Sequence, residues 1–563
     1  MRFNSRLPLL ILILSFSAFY AMIELLLLAN RSVFGPENVA NTIEILLVSF
    51  LNLAPAGIFA FTIVSILPQR LVSKYNDQVL MLQKALQKDP KIAILYTTYN
   101  DFMQNYALYN FAEARKRGRD FYILDDSTSI QKRTEVDNFA RDYGVVVQRR
   151  TNREGYKAGA INHWLKEKSR RYDYIFILDS DSQVSSSSVD YCVELAKRDP
   201  KLAVIQSKTM TMTSSPSRLT KSGVTIQHAY MAVVQAAMKN LGTSPFYGHN
   251  ALLNVRALES IEGLVAESNE DYKTLARLHN KGYESVYASN SLTFEEIPPD
   301  YFSSRKRSLR WARDAVGQLG LLKYKLPGAM IFYLVYGWAT YMANIALFSF
   351  FLLLAYNGFF PVQLQGTSYF AEMAGVISMA VLILWPLLSL RVKDPELTAH
   401  KILSSIVWGS LYNGPMMAPL SAQIVKTTIT QVYVRAKSLI GGTRSRIIEE
   451  FVVTPKVSAK NQRFSSIVSS LKVEFIIGSL PFVVAIITGA VWYLMFSSIQ
   501  LFMLLSLPVL IFLEGSKRTR NKPRFYSMEM RNAIKGDATP LIGNSPVVFQ
   551  MDPFAASVTL RVR

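Results

Sequence analysis

Ile175-Phe-Ile-Leu-Asp-Ser-Asp181 is the stretch on which the fold turns. Its apolar run is too short for a helix and ends in charge, so it reads as a buried strand with two carboxylates at its terminus. Runs of the same kind lie at 92–97, 120–124, 145–148 and 203–207. Helical stretches separate them at 113–117, 130–142, 158–169 and 189–198, the last capped by Ser187 or Ser188. This alternation predicts an α/β domain built on a mostly parallel sheet with helices on both faces. In such sheets ligands sit beyond the carboxyl ends of the strands, where Asp179 and Asp181 stand.

Outside this domain the chain changes character. Stretches 7–29, 45–67, 329–356, 370–390, 473–495 and 501–513 are nearly charge-free. Most approach the roughly 20 apolar residues a membrane-crossing helix needs. The first two form an anchoring hairpin, in which Glu24 marks either a pore or a polar pair near a helix end. Residues 357–371 carry no Lys or Arg and are expected outside, whereas 426–472 and the tail after 516 are basic and expected inside. A single crossing at 402–423 would break that pattern, so this Gly- and Pro-containing piece reads as re-entrant, interfacial or a broken hairpin. The expected domains are 1–68, 69–328, 329–515 and 516–563, with the second on the cytoplasmic side of a multi-pass inner or plasma membrane protein.

The net charge of +21, from 62 Lys and Arg against 41 Asp and Glu, suits a membrane-lipid surface or a phosphate-bearing substrate. No nucleic-acid module accompanies it. The single cysteine, Cys192, excludes an intrachain disulfide and a thiolate metal cluster.

Two acidic motifs end strands: Asp125-Asp126 after Tyr122-Ile-Leu, and Asp179-Ser-Asp181. Carboxylates so placed can hold Mg²⁺ or Mn²⁺, which grips a substrate diphosphate. A solvated turn is the plain alternative. Around them stand Thr97-Thr-Tyr-Asn-Asp101 and Lys157-Ala-Gly-Ala-Ile-Asn162. Together these four motifs resemble the nucleotide-sugar half of family 2 glycosyltransferases with the GT-A fold. The resemblance assigns Thr98, Tyr99, Asp101, Asp125 or Asp126, and Lys157 to the nucleotide. It gives Asp179 to the sugar diphosphate and Asp179 with Asp181 to the metal.

Further on, Phe246-Tyr-Gly-His-Asn-Ala251 resembles the acceptor loop of the membrane-embedded synthases, which puts Tyr247, Gly248 and His249 beside the acceptor. Asn269-Glu-Asp271 stands where that branch has its general base, and Arg307-Ser-Leu-Arg-Trp311 where it has Gln-x-x-Arg-Trp. The Arg at the Gln position, Phe294-Glu-Glu-Ile-Pro-Pro299 and the tail 548–556 resemble the bacterial glucans biosynthesis glucosyltransferase H family, relatives of cellulose synthase. The implied protein is an α/β GT-A-like glycosyltransferase domain inserted between transmembrane helices. It would elongate a β-glucan from UDP-glucose or another nucleotide sugar and export it. Asp271 would be the base, Arg310 would hold the diphosphate and Trp311 would stack on the acceptor sugar. The plain alternatives are Trp311 as an interfacial anchor, Lys157 as a helix-start surface lysine and His249 as a loop histidine. Alternatives for the whole chain are a polyprenyl-phosphate sugar synthase and a non-catalytic membrane scaffold.

Overall fold

The computed structural model describes residues 6–28, 46–47, 49–67, 90–213, 217–357, 398–441, 463–488 and 491–517, with short strand segments at 541–542, 545–550 and 559–562. The expected span 370–390, the loop 357–371, the basic residues of 442–462 and most of the tail lie outside the described residues.

Eight strands form one sheet: β1 (Ile92–Thr98), β2 (Asp120–Asp125), β3 (Val146–Gln148), β4 (Tyr174–Asp179), β5 (Ser182–Val184), β6 (Leu202–Met212), β7 (Ala251–Asn254) and β8 (Glu284–Glu296). Their order is β3-β2-β1-β4-β7-β6-β8-β5. The first half is parallel, as expected, and so is β6 with β8. The whole sheet, however, is mixed. β7 runs antiparallel to both β4 and β6, and β5 antiparallel to β8. β5 follows β4 after only Ser180 and Asp181 but pairs with the end of β8, at the far edge of the sheet.

β1 is buried along its whole length because both sheet faces are covered. Its side chains alternate between two cores. Ile94 and Tyr96 join Phe121, Phe139 and Phe176 on one face, under the helices Gln104–Arg115, Ile130–Tyr143 and Ser186–Arg198. Ala93 and Leu95 join Trp164 and Ile177 on the other. That second core continues into the apolar helices, taking in Leu12, Phe61, Val64 and Tyr333. The α/β domain and its apolar helices therefore share packing. Truncating Leu95 to Ala would cost about 2–5 kcal/mol.

Local boundaries differ in three places. The helix expected at 113–117 starts at Gln104, and the serine run is capped by Ser185, whose hydroxyl accepts from Ser188 N. Stretch 329–356 forms one helix, Gly328–Asn357. The expected span 473–495 falls on Lys472–Gly478, Leu480–Thr488 and the start of Val491–Lys517, the last also taking in 501–513. By length and composition, Arg6–Leu25 and Ser497–Gly515 can each cross a membrane. So can a pair bent by 54°, Phe464–Ser470 with Lys472–Ile487. Glu24 accepts from Ser49 Oγ at 2.7 Å, a polar pair within the N-terminal apolar elements.

The 402–423 piece is two helices, Ala399–Asn413 and Met417–Gly441. The first lies on the domain helix Arg218–Tyr230: Ser222 Oγ donates to Ser405 O at 2.8 Å. A Cβ on Gly409 would come within 2.8 Å of Ile226 and 3.1 Å of Ser222 Oγ, so glycine permits this approach.

Candidate active site

Parallel pairing sets the ends of β1, β2 and β4 side by side, with Thr98 opposite Asp125 and Thr97 opposite Asp179. The carboxylates of three separate motifs thereby converge. Asp101 ties the group together. It accepts from Thr98 Oγ1 at 2.9 Å, Tyr99 N at 2.8 Å and Ser180 Oγ at 2.7 Å, joining β1 to the Asp179–Asp181 turn. Asn100, at φ 56°, accepts from Thr128 N and Ser129 N and fixes the neighbouring loop.

The Asp pair divides its work. Asp125 is 2 % exposed and faces inward, accepting from Ser127 N at 2.9 Å and Arg149 Nε at 2.7 Å. Asp126 lines the cavity, whereas Asp125 turns away from it toward Arg149. Arg150 grips Asp126 through two nitrogens, at 2.9 and 2.6 Å. The Arg153 guanidinium lies 3.3 Å over the Tyr99 ring, and both residues line the cavity. Sequence reasoning passed over these arginines, although Arg149-Arg-Thr-Asn-Arg153 directly precedes the Lys157 motif.

The Lys157–Asn162 motif has three separate tasks. Lys157 Nζ donates to Asp179 Oδ1 at 3.0 Å. Burial opposes its charge, but Asp179 and Glu270 outweigh that and raise its pKa. Gly159 lies where a Cβ would fall 1.9 Å from Glu154 O and 2.4 Å from Arg150, so glycine admits the Asp126-binding arginine. Asn162 exchanges two hydrogen bonds with the Leu264 backbone, at 2.7 and 2.8 Å, and holds the loop leading to Asp271.

Gly248, at φ +81°, turns the 246–251 loop between Lys157 and Asp271. His249 Nε2 is 2.6 Å from Glu295 Oε2, and Nδ1 is 2.9 Å from Tyr247 O and 3.8 Å from Asp179 Oδ2. Acceptors at both ring nitrogens call for the imidazolium. Burial disfavours that charge, yet Asp179 and Glu295 push the pKa up to about 8. His249 thus stands at the Asp179 end of the site. Tyr247 N donates to Gln206 Oε1 at 3.1 Å, and Tyr247 lines the cavity.

Asp271 lies in the first turn of Glu270–Asn280, accepting from Tyr272 N at 2.8 Å. A helix N-terminus favours a carboxylate. Burial and the neighbouring Glu270 charge prevail here and raise the Asp271 pKa to about 7. The helix Tyr301–Val316 presents Arg307, Arg310 and Trp311 to the same cavity. The Arg307 guanidinium lies 4.7 Å over the Trp311 ring, and burial lowers its pKa to about 10. Trp311 is 42 % exposed.

These groups line one cavity of about 1230 Å³. It begins at Thr98, Tyr99 and Asp126, passes His249, Asp271 and Trp311, and reaches Tyr336, Asn344 and Met503 of the apolar helices. A single small-molecule pocket is about 300–1,000 Å³, so the space exceeds one compact ligand. Among the described residues no three His, Cys, Asp or Glu side chains form a self-sufficient metal cage. Asp179 and Asp181 fit a hard cation held by one or two carboxylates, with substrate phosphate oxygens completing its shell.

Residues 174–391 match the family described as Glycosyl transferase family group 2. Glucans biosynthesis glucosyltransferase H of Pectobacterium carotovorum subsp. carotovorum (strain PC1) is 27 % identical over 216 residues, 34 % of this chain and 25 % of that protein. The protein of the same name from Bradyrhizobium diazoefficiens is 23 % identical over 260 residues, 41 % of this chain and 34 % of its own length. The match thus spans a quarter to a third of these curated relatives. Among solved structures, the mannosyltransferase PcManGT from Pyrobaculum calidifontis, in complex with GDP-Man and Mn²⁺, aligns at TM-score 0.46 and 14 % identity, over 66 % of this chain and 98 % of that one. Residues 174–391, which begin at the strand ending in Asp179-Ser-Asp181, are thus similar to family 2 glycosyltransferases, and the α/β part of the chain is similar to the glucans biosynthesis glucosyltransferase H proteins.

Proposed function

We propose that this protein is a processive, inverting β-glucosyltransferase that elongates a β-glucan from UDP-glucose and passes it between its membrane helices. The observation that carries the reading is the single cavity joining Asp126, Lys157 and Asp179 to Asp271 and Trp311, and then to the apolar helices. Asp126, Arg153 and Lys157 hold UDP at the strand ends, Asp126 on the nucleoside side. Mg²⁺ or Mn²⁺ on Asp179 and Asp181 would neutralise charge on the departing diphosphate.

A sugar hydroxyl is a poor nucleophile, so it needs a base as it attacks. The Asp271 carboxylate accepts the hydroxyl proton. The new bond forms from that oxygen to the anomeric carbon of the donor. The bond from that carbon to the diphosphate breaks, and its electron pair leaves with UDP. Attack from the face opposite the leaving group inverts an α-linked donor to a β-linkage. Arg310 places a fixed charge beside the departing diphosphate. Trp311 offers a flat face for the terminal acceptor sugar. The apolar helices seat the protein in the cell membrane with the α/β domain in the cytoplasm.

The test is purified full-length protein with a panel of UDP- and GDP-sugars and Mg²⁺ or Mn²⁺, followed by product sizing. UDP-glucose should give a β-linked polymer. Transfer of one sugar to a lipid phosphate, or no transfer from any donor, would overturn the reading.

A further inference from the structure

The helix Tyr301–Val316 shows different partners on its two sides. One side brings Arg307, Arg310 and Trp311 to the cavity. The other carries Tyr301 and Arg305, one turn apart. At about 100° per residue, Arg305 lies roughly 200° around the axis from Arg307. Both Tyr301 and Arg305 close on one carboxylate, Glu474. Arg305 Nε is 2.7 Å from Oε1, Arg305 Nη2 donates to Oε2 at 3.1 Å, and Tyr301 OH donates to Oε1 at 3.2 Å.

Glu474 is 0 % exposed and belongs to Lys472–Gly478, directly after the 54° bend in the apolar pair. The Tyr301 ring packs in a small core of its own, with Tyr412, Ile467, Leu471 and Leu507. That core is separate from the two that sandwich the sheet. A buried ion pair is weak evidence for stability, since apolar residues of the same volume often serve as well. Two donor residues on one buried carboxylate do something packing alone does less well: they fix the rotation of a helix about its axis.

We propose that Glu474 is a positioning residue for the transfer reaction. Acting through Arg305 and Tyr301, it sets the rotation of Tyr301–Val316, and with it the place of Arg307, Arg310 and Trp311 in the cavity. The bent apolar pair and the reacting end of the site are then mechanically coupled. The inference rests on the glycosyltransferase reading above. None of the nucleotide-end groups, Asp126, Arg153, Lys157 or Asp179, lies on either of the coupled elements.

The test compares full-length wild type with Glu474→Gln, Arg305→Lys, Tyr301→Phe and the Arg305→Lys/Glu474→Gln double variant. UDP affinity, single-turnover transfer and product length are measured for each. Glu474→Gln should keep UDP affinity within about twofold and slow transfer about ten- to a hundredfold, the scale of a misplaced catalytic group, with shorter products. The double variant should be no worse than the poorer single one. Tyr301→Phe deletes a hydroxyl without touching charge, so it serves if Glu474→Gln fails to fold, and it should move the same readouts less. A second readout needs no sugar transfer. In a Cys192→Ser background, Trp311→Cys should react with a thiol reagent at a rate that changes severalfold when Glu474→Gln is added. Unchanged thiol reactivity, or UDP affinity falling in step with transfer, overturns the coupling. A wild type that transfers no sugar overturns the functional reading and leaves the thiol measurement to decide the coupling by itself.

Discussion

The two ends of the cavity handle charge in opposite ways. At the strand ends each carboxylate already has partners. Asp101 accepts three hydrogen bonds, Asp126 is held by two nitrogens of Arg150, and Asp179 is met by Lys157 and Thr97. At the helix end, Asp271 has a backbone N–H and a neighbouring carboxylate, Glu270, and the half-buried Arg307 has no hydrogen-bond partner for its buried Nε among the described residues. The first arrangement is rigid and suits binding. The second leaves Asp271 with a pKa of about 7 and Arg307 with one of about 10, so charge there is poised to change or to meet a ligand. Burial is common to both ends, and compensation separates them.

Removing the proposed base should break the helix end alone. Asp271→Asn keeps the shape but cannot take up a proton usefully, so single-turnover transfer should fall about 10²–10⁴-fold. UDP affinity, measured by titration, should stay near wild type. Cutting the strand end should do the reverse. Arg150→Ala removes both close hydrogen bonds to Asp126 and leaves it only the longer Arg153 contact at 3.9 Å, so both stability and nucleotide binding should fall. Thermal unfolding with and without UDP would report both parts. Asp181→Ala should abolish the Mn²⁺ dependence of UDP-sugar binding; equal affinity with and without Mn²⁺ in the wild type would remove that role from the Asp179–Asp181 pair.

Trp311→Ala sharpens the comparison further along the cavity. Loss of one aromatic sugar platform should shorten the polymer while UDP affinity holds, as seen by sizing products at equal turnover. Polymer of normal length would make Trp311 an interfacial anchor only. The smallest expected effect is that of Glu270→Gln. Its charge raises the Asp271 pKa, so its removal should lower that pKa and extend activity to lower pH.

Much of this contrast was legible in the sequence on the strand side. Four-residue apolar runs ending in Asp marked β2 and β4, and parallel pairing followed from the helices between them. β5, β7 and β8 escaped because two are three or four residues long and the third is interrupted by Ser289-Asn-Ser291. Their absence made the sheet look more parallel than it is. Within motifs, residue type did not reveal direction. Asp125 and Asp126 are chemically identical, and only the pairing of Asp125 with Arg149 decides which one turns inward. Asn162 looked like part of a ligand motif and proves to clamp a loop about a hundred residues away in sequence, a contact no local pattern encodes. The Glu474–Arg305 pair is of the same long-range kind.

The most direct test of the account is the pH dependence of single-turnover transfer, since it reads the ionisation of the base itself. A carboxylate with a raised pKa works only when deprotonated, so the wild-type rate should fall about tenfold per pH unit below about 7. The acid limb should vanish in Asp271→Asn, leaving a slow, flat profile. A limb that persists unchanged in Asp271→Asn, or one that disappears only in Glu270→Gln, would show that the proton goes to a different carboxylate and would contradict the division of the cavity proposed here.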